Sequence, residues 1–272
     1  MTDRLATAQD VAGHVLAHLL RRVAATPALD DPFGHFYLED AFPADVYTRL
    51  LAHLPDPGLY GAATERHHKG EYGGTVRSRY DLSAEGVDQL PGGIRELWRG
   101  VAAALTAPKL KEAVFARLAP DLAYRYGVSE AETAGLTAYA RPTLYRETDG
   151  FEIPPHPDTR KKVVTMHFYL PADDSQLDLG TALYRRRVLA WPVGGWRQRF
   201  AKVKQFAFRP NSGYAFVVNN TLMKRSWHGR ERLPAGAGVR NTLLNTFYTE
   251  HRAQFGGYFD SPPAAAPLRR AA

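Results

Sequence analysis

From residue 136 onward the chain breaks into short runs rich in β-branched and aromatic residues, at 136–145, 163–170, 180–184, 205–208, 214–218 and 241–248. Pro, Gly, Asn and Asp bound each run. Short strands at this spacing predict an antiparallel all-β sandwich or barrel. Residues 185–204, with Trp191, Gly194-Gly195 and Trp196, interrupt the series and read as an insertion or lid.

The first half has a different period. Val11, Val15, Leu19 and Val23 recur at i+4 across 8–23, which predicts an amphipathic helix. A short extended stretch, His35-Phe36-Tyr37-Leu38, follows. Pro43 precedes the stripe Val46, Leu50, Leu51 and Leu54, a helix opened by proline and stopped at Pro55. Helical patterns return over 93–105 and 109–118, and the polar stretch 61–80 reads as a loop or hairpin. The expected chain is mostly β with N-terminal helices. One domain covers 1–260, helix-rich over 1–135 with a β core over 136–250, and 261–272 form a disordered tail.

The chain has no cysteine, which removes disulfides, thiolate zinc sites and a cysteine nucleophile and fits a reducing cytoplasm. No signal peptide or apolar run of about 18 residues is expected, so a cytoplasmic protein without a membrane partner is the reading. The net charge of +7 is concentrated: residues 179–230 carry eleven Lys or Arg and no acid. That predicts an anionic partner, such as a small metabolite or an acidic carrier protein. No nucleic-acid module is recognisable, and nucleic acid is not the expected partner. Oligomeric state is not legible.

His156 alone among the ten histidines has an acid two residues later, Asp158. Ser226-Trp227-His228 lies downstream, and Arg240 opens the alternating run 241–248. Two imidazoles and one carboxylate on one face of an octahedral ion leave three open positions, the donor set of non-haem Fe(II) oxygenases. An Arg on a neighbouring strand can clamp a ligand carboxylate in a bidentate pair. The adjacent pair His67-His68 is the other candidate metal group, and solvated loop histidines explain it as well.

On these residues the stretch 140–250 resembles the 2-oxoglutarate/Fe(II)-dependent dioxygenases, within the prolyl-4-hydroxylase-like group. The resemblance also rests on Gly180-Thr181-x-Leu183-Tyr184 and Phe208-x-Pro210-Asn211. It implies a double-stranded β-helix (jelly roll) packed against helices, with Fe(II), 2-oxoglutarate and O2 as cofactor and co-substrates. It makes His156, Asp158 and His228 the iron ligands and Arg240 the clamp for the distal carboxylate. Tyr169 and Thr242 become its neighbours. Aspartate at 158, where related halogenases have a small residue, favours hydroxylation. The spacing from His228 to Arg240 is slightly long for the family, and 234–238 read as a stretched turn.

Period two places Thr165, His167 and Tyr169 on one face. Arg77, Arg79, Arg141, Tyr145, Arg146 and Trp227 are further candidates for a substrate pocket. The expected activity is hydroxylation of a small, anionic or carrier-tethered metabolite. The alternatives are a hydroxylase of protein side chains, of the prolyl type, and a non-catalytic cupin-like metal-binding protein.

Overall fold

Helix α1 (Ala8–Ala25) opens on a reciprocal cap: Thr7 Oγ1 accepts from the Asp10 amide at 3.2 Å, and the Asp10 carboxylate accepts from the Thr7 amide at 3.1 Å. Such a cap is worth about 1 kcal/mol. Its buried stripe is Val11, Val15, Leu19 and Val23. The computed structural model describes residues 7–63, 75–187 and 195–252. The pair His67-His68, Trp191 with Gly194, and the tail 261–272 lie outside the described residues.

After α1 come β1 (His35–Leu38), α2 (Ala44–Ala52), β2 (Gly61–Ala62), β3 (Arg77–Asp81), α3 (Ala84–Asp88), α4 (Gly92–Thr106), α5 (Pro108–Arg117) and α6 (Ala119–Tyr126). Helix α1 lies close on α4, where a Cβ added to Gly100 would sit 2.6 Å from Val11 Cβ. Helix α6, which the periodicity of the sequence did not predict, ends at Gly127 with φ 65°, the left-handed cap that glycine tolerates.

The second half supplies β4 (Tyr139–Glu147), β5 (Ile153–His156), β6 (Lys162–Tyr169), β7 (Ala182–Arg186), α7 (Trp196–Arg199), β8 (Phe200–Gln205), β9 (Ser212–Val217), β10 (His228–Arg230) and β11 (Arg240–Tyr248). They form two antiparallel sheets, ordered β1-β9-β6-β11-β4-β3-β2 and β5-β10-β7-β8. From β4 to β11 the chain passes back and forth between them, the winding of a double-stranded β-helix. The expected fold is the one found.

Strand parity divides the larger sheet. Leu144, Met166, Phe168, Leu243 and Phe247 face outward into one core with α1, α4 and α5. Phe115 meets the Phe247 ring edge-on at 5.4 Å, and Asn245 Nδ2 donates to the Leu105 carbonyl at 2.8 Å. The opposite face of the same strands carries Arg141, Tyr145, Glu147, Thr165, His167 and Arg240. The helices leave that face free for a site.

The structure adds to the sequence pattern in three places. Phe200–Gln205 is a strand paired with β7, so this part of 185–204 belongs to the smaller sheet. Trp196 meets the Tyr184 ring edge-on at 5.8 Å. The strands β5 and β10 escaped the sequence pattern because each is four residues or fewer, and β5 carries two prolines. Its place at a sheet edge tolerates them. Finally, the basic segment is met by acids around it: Arg185 pairs with Asp31, Arg197 with Glu152, Lys202 with Glu231, Arg209 with Glu39 and Lys224 with Asp121. No helix of the described residues is long and apolar enough to cross a membrane.

Candidate metal centre and its cavity

The short strands β5 and β10 place the two histidines. Residues His156 and His228 are direct register partners, with ring centroids 4.5 Å apart. Gly229 permits this pairing, since a Cβ there would come within 2.5 Å of the Ile153 carbonyl oxygen. Each Nδ1 donates to a backbone carbonyl two residues back, His156 to Pro154 at 3.0 Å and His228 to Ser226 at 2.9 Å. That bond fixes the tautomer and leaves Nε2 as the free lone pair.

Asp158 completes the group: one ligand atom from each of His156, Asp158 and His228 lies within 4.8 Å of the others. Its Oδ2 accepts from Thr165 Oγ1 at 3.0 Å and sits 3.7 Å from His228 Nε2. Its Oδ1 takes the Lys162 ammonium at 2.6 Å. Burial alone would raise the Asp158 pKa, but Lys162, His228 and His156 together hold it well below the ordinary value. Burial, and then His156, lowers the His228 pKa to about 4. An ionised carboxylate and a neutral imidazole are the states in which these groups ligate. The donor set fits Fe(II).

The three residues open onto a cavity of about 680 Å³, within the range of small-molecule sites. Its lining includes Arg77, Arg79, Arg141, Tyr145, Thr165, His167 and Arg240. Two expected pocket residues are elsewhere. Arg146 alternates to the outer face of β4, with its guanidinium over the Tyr60 ring at 5.8 Å. Trp227, next to an inward His228, turns its ring onto Phe200 at 4.7 Å.

Arg240 is 2% exposed and stands opposite Glu147, with which it forms an ion pair. Arg77 Nε reaches the other Glu147 oxygen at 3.0 Å. Arg240 Nη2, Thr242 Oγ1 and His167 Nε2 are buried without a hydrogen-bond partner. Thr242 lies between Tyr145 and Tyr169 in register, and Tyr169 Oη accepts from the Thr181 amide at 2.9 Å while keeping its own proton to donate. Buried polar atoms left unpaired are costly, and the two donors among these, Arg240 Nη2 and Thr242 Oγ1, share one face of β11, where a ligand carboxylate would satisfy them. Burial, with Arg240 and Arg77 nearby, lowers the His167 pKa well below 6.5 and keeps the ring neutral.

Sequence reasoning missed Glu147, Lys162 and Arg230. Arg230 is 5% exposed, and burial followed by Arg240 lowers its pKa to about 10. It is the member of the basic segment that lines the cavity among the described residues. Parity on β4 could have flagged Glu147, two positions beyond Tyr145.

No family model matches the chain, and no curated protein matches it in sequence. Solved structures do resemble it. A prolyl hydroxylase of Trichoplax adhaerens, in complex with a hypoxia inducible factor peptide, aligns with TM-score 0.48 at 11% identity, covering 87% of this chain and 90% of that one. A prolyl-4-hydroxylase of Pseudomonas putida aligns with TM-score 0.46 at 16% identity, over 86% and 98% of the two chains. The non-heme alpha ketoglutarate dependent epimerase SnoN from nogalamycin biosynthesis gives 0.45 at 14% identity, over 94% of each chain.

Proposed function

We propose that the protein is an Fe(II)- and 2-oxoglutarate-dependent oxygenase, a hydroxylase of a C–H bond in a small anionic or carrier-tethered metabolite. One observation carries the reading: two Nε2-presenting imidazoles and an ionised carboxylate converge within 4.8 Å at a cavity that also holds Arg240. Iron, when bound, supplies O2 activation coupled to decarboxylation of 2-oxoglutarate to succinate and CO2.

His156, Asp158 and His228 would hold the ion, which with only three protein ligands could also take co-substrate and O2. Lys162 occupies the second Asp158 oxygen, which favours one-oxygen ligation through Oδ2. Arg240 receives the distal carboxylate of 2-oxoglutarate, with Thr242 and Tyr169 donating beside it. Glu147 then shifts its weight to Arg77 and Arg230. The neutral His167 ring walls this end against water. Residues 1–260 serve as one oxygenase domain in this reading.

The test is anaerobic addition of Fe(II) and 2-oxoglutarate, which should give a weak visible charge-transfer band. A folded, metal-loaded sample without that band, and without succinate release, would reject the assignment in favour of a non-catalytic metal-binding protein. The cavity volume of about 680 Å³ is of the size that holds a metabolite.

A further inference from the structure

A second cation in the cavity, Arg141, has Asp81 and Glu250 in its neighbourhood but no ion pair with either. Arg141 is 8% exposed, its Nε is buried without a partner, and it lines the cavity. Its guanidinium is stacked on the Tyr248 ring at 3.9 Å and gives one Nη2 hydrogen to the Glu250 carbonyl. No carboxylate pairs with it among the described residues. The acids nearby are engaged elsewhere. Asp81 accepts from Thr143 Oγ1 at 3.0 Å and lies 3.9 Å from Arg79, and the Glu250 carboxylate takes Lys161 at 3.0 Å. Arg252, exposed at the rim, adds positive charge beside Arg141.

Register locates this group relative to the metal centre. Arg141 pairs with Thr246, and Thr246 with Thr165, whose hydroxyl donates to Asp158 at 3.0 Å. Arg141 thus lies in the metal's own row, two strands away, about 10 Å between Cα atoms. Arg240 is six residues further along β11 from Thr246, about 20 Å along the strand. A five-carbon diacid clamped at Arg240 does not extend to Arg141. The two guanidinium groups therefore stand toward opposite ends of the cavity.

We infer that Arg141 anchors an oxyanion of the substrate, a carboxylate or a tetrahedral phosphate or sulfate group, and so presents a C–H bond a few bonds away to the metal. The inference rests on the oxygenase reading for the word substrate, but the anion site stands on Arg141 itself. A fixed, stacked guanidinium with a free Nε is suited to a planar or tetrahedral oxyanion.

The test uses the whole protein loaded with Mn(II) and saturating 2-oxoglutarate, titrated with sulfate and separately with acetate at constant ionic strength. Sulfate should raise the thermal midpoint of the parent protein. Arg141→Met should weaken its apparent affinity about ten-fold or more, while 2-oxoglutarate binding persists, and Arg141→Lys should keep part of the effect. A stronger response to sulfate than to acetate assigns a tetrahedral group, and the reverse assigns a carboxylate. Either no stabilisation of the parent, or equal stabilisation of Arg141→Met, overturns the inference. If 2-oxoglutarate itself does not bind, the oxygenase reading fails, and the same titration on the metal-free protein still decides the role of Arg141.

Discussion

Arg240 and Glu147 face each other across β11 and β4 as a buried ion pair, their side chains 2% and 1% exposed. The residue expected to clamp a co-substrate carboxylate is already held by one from its own chain. Glu147 also takes Arg77, so one acid offsets two guanidinium groups in a desolvated place. Removing one partner of such a pair costs about 3–5 kcal/mol, because the other charge is left buried. Glu147→Gln should therefore destabilise the ligand-free protein by about that amount in denaturant unfolding. Added 2-oxoglutarate should return more stability to the variant than it gives the parent. An equal gain in both would mean that Glu147 and the co-substrate do not share Arg240.

His156→Ala removes a ligand without disturbing Arg240. Loss of outer partners alone weakens metal sites about 10–100-fold, so calorimetric titration with Mn(II) should show a loss of roughly 100-fold or more. The fold should persist, because the His156 side chain is half-buried at a sheet edge.

Gly229→Ala tests the register behind the ligands. The new Cβ would press on the Ile153 carbonyl oxygen at 2.5 Å, backbone that must move. Overpacking of this kind costs about 1–3 kcal/mol. Since the displaced strand carries His228, metal affinity should fall although all three ligands remain. Unchanged Mn(II) affinity would show that β5 and β10 can separate without moving the site.

Acid should unfold the metal-free protein early. Burial lowers the folded-state pKa of His167 well below 6.5, and burial with His156 lowers that of His228 to about 4. The unfolded chain takes up these protons near 6.5, so stability is full above that value and falls as pH drops toward about 4. The slope is up to about 1.4 kcal/mol per pH unit for each group. His167→Phe should remove one group's share of the slope in unfolding measured from pH 7 to pH 4. A slope unchanged from the parent would place the acid sensitivity elsewhere.

Much of this was legible in one dimension. The i+4 stripe of α1, the alternation of β6 and β11, and His156, Asp158, His228 and Arg240 are local patterns or fixed chemical types. A reader of sequence can therefore name them. Period two also determined that Thr165, His167 and Tyr169 share a face, and that Arg146 does not share the face of Tyr145, although the latter parity went unused.

What the tertiary structure alone decided is which charges meet. Arg240 and Glu147 are 93 residues apart in the chain, Arg209 and Glu39 are 170 apart, and no local period relates either pair. Of the eleven bases in the acid-free segment 179–230, five are partnered by acids from outside it. Most of the cavity's excess positive charge comes from arginines on β3, β4 and β11, and the segment adds Arg230 on β10. The physical reason is that side-chain direction follows from backbone period within one strand, whereas electrostatic neutralisation depends on the strand placed beside it. Sheet order and register set that neighbour, and they exist only in the folded chain.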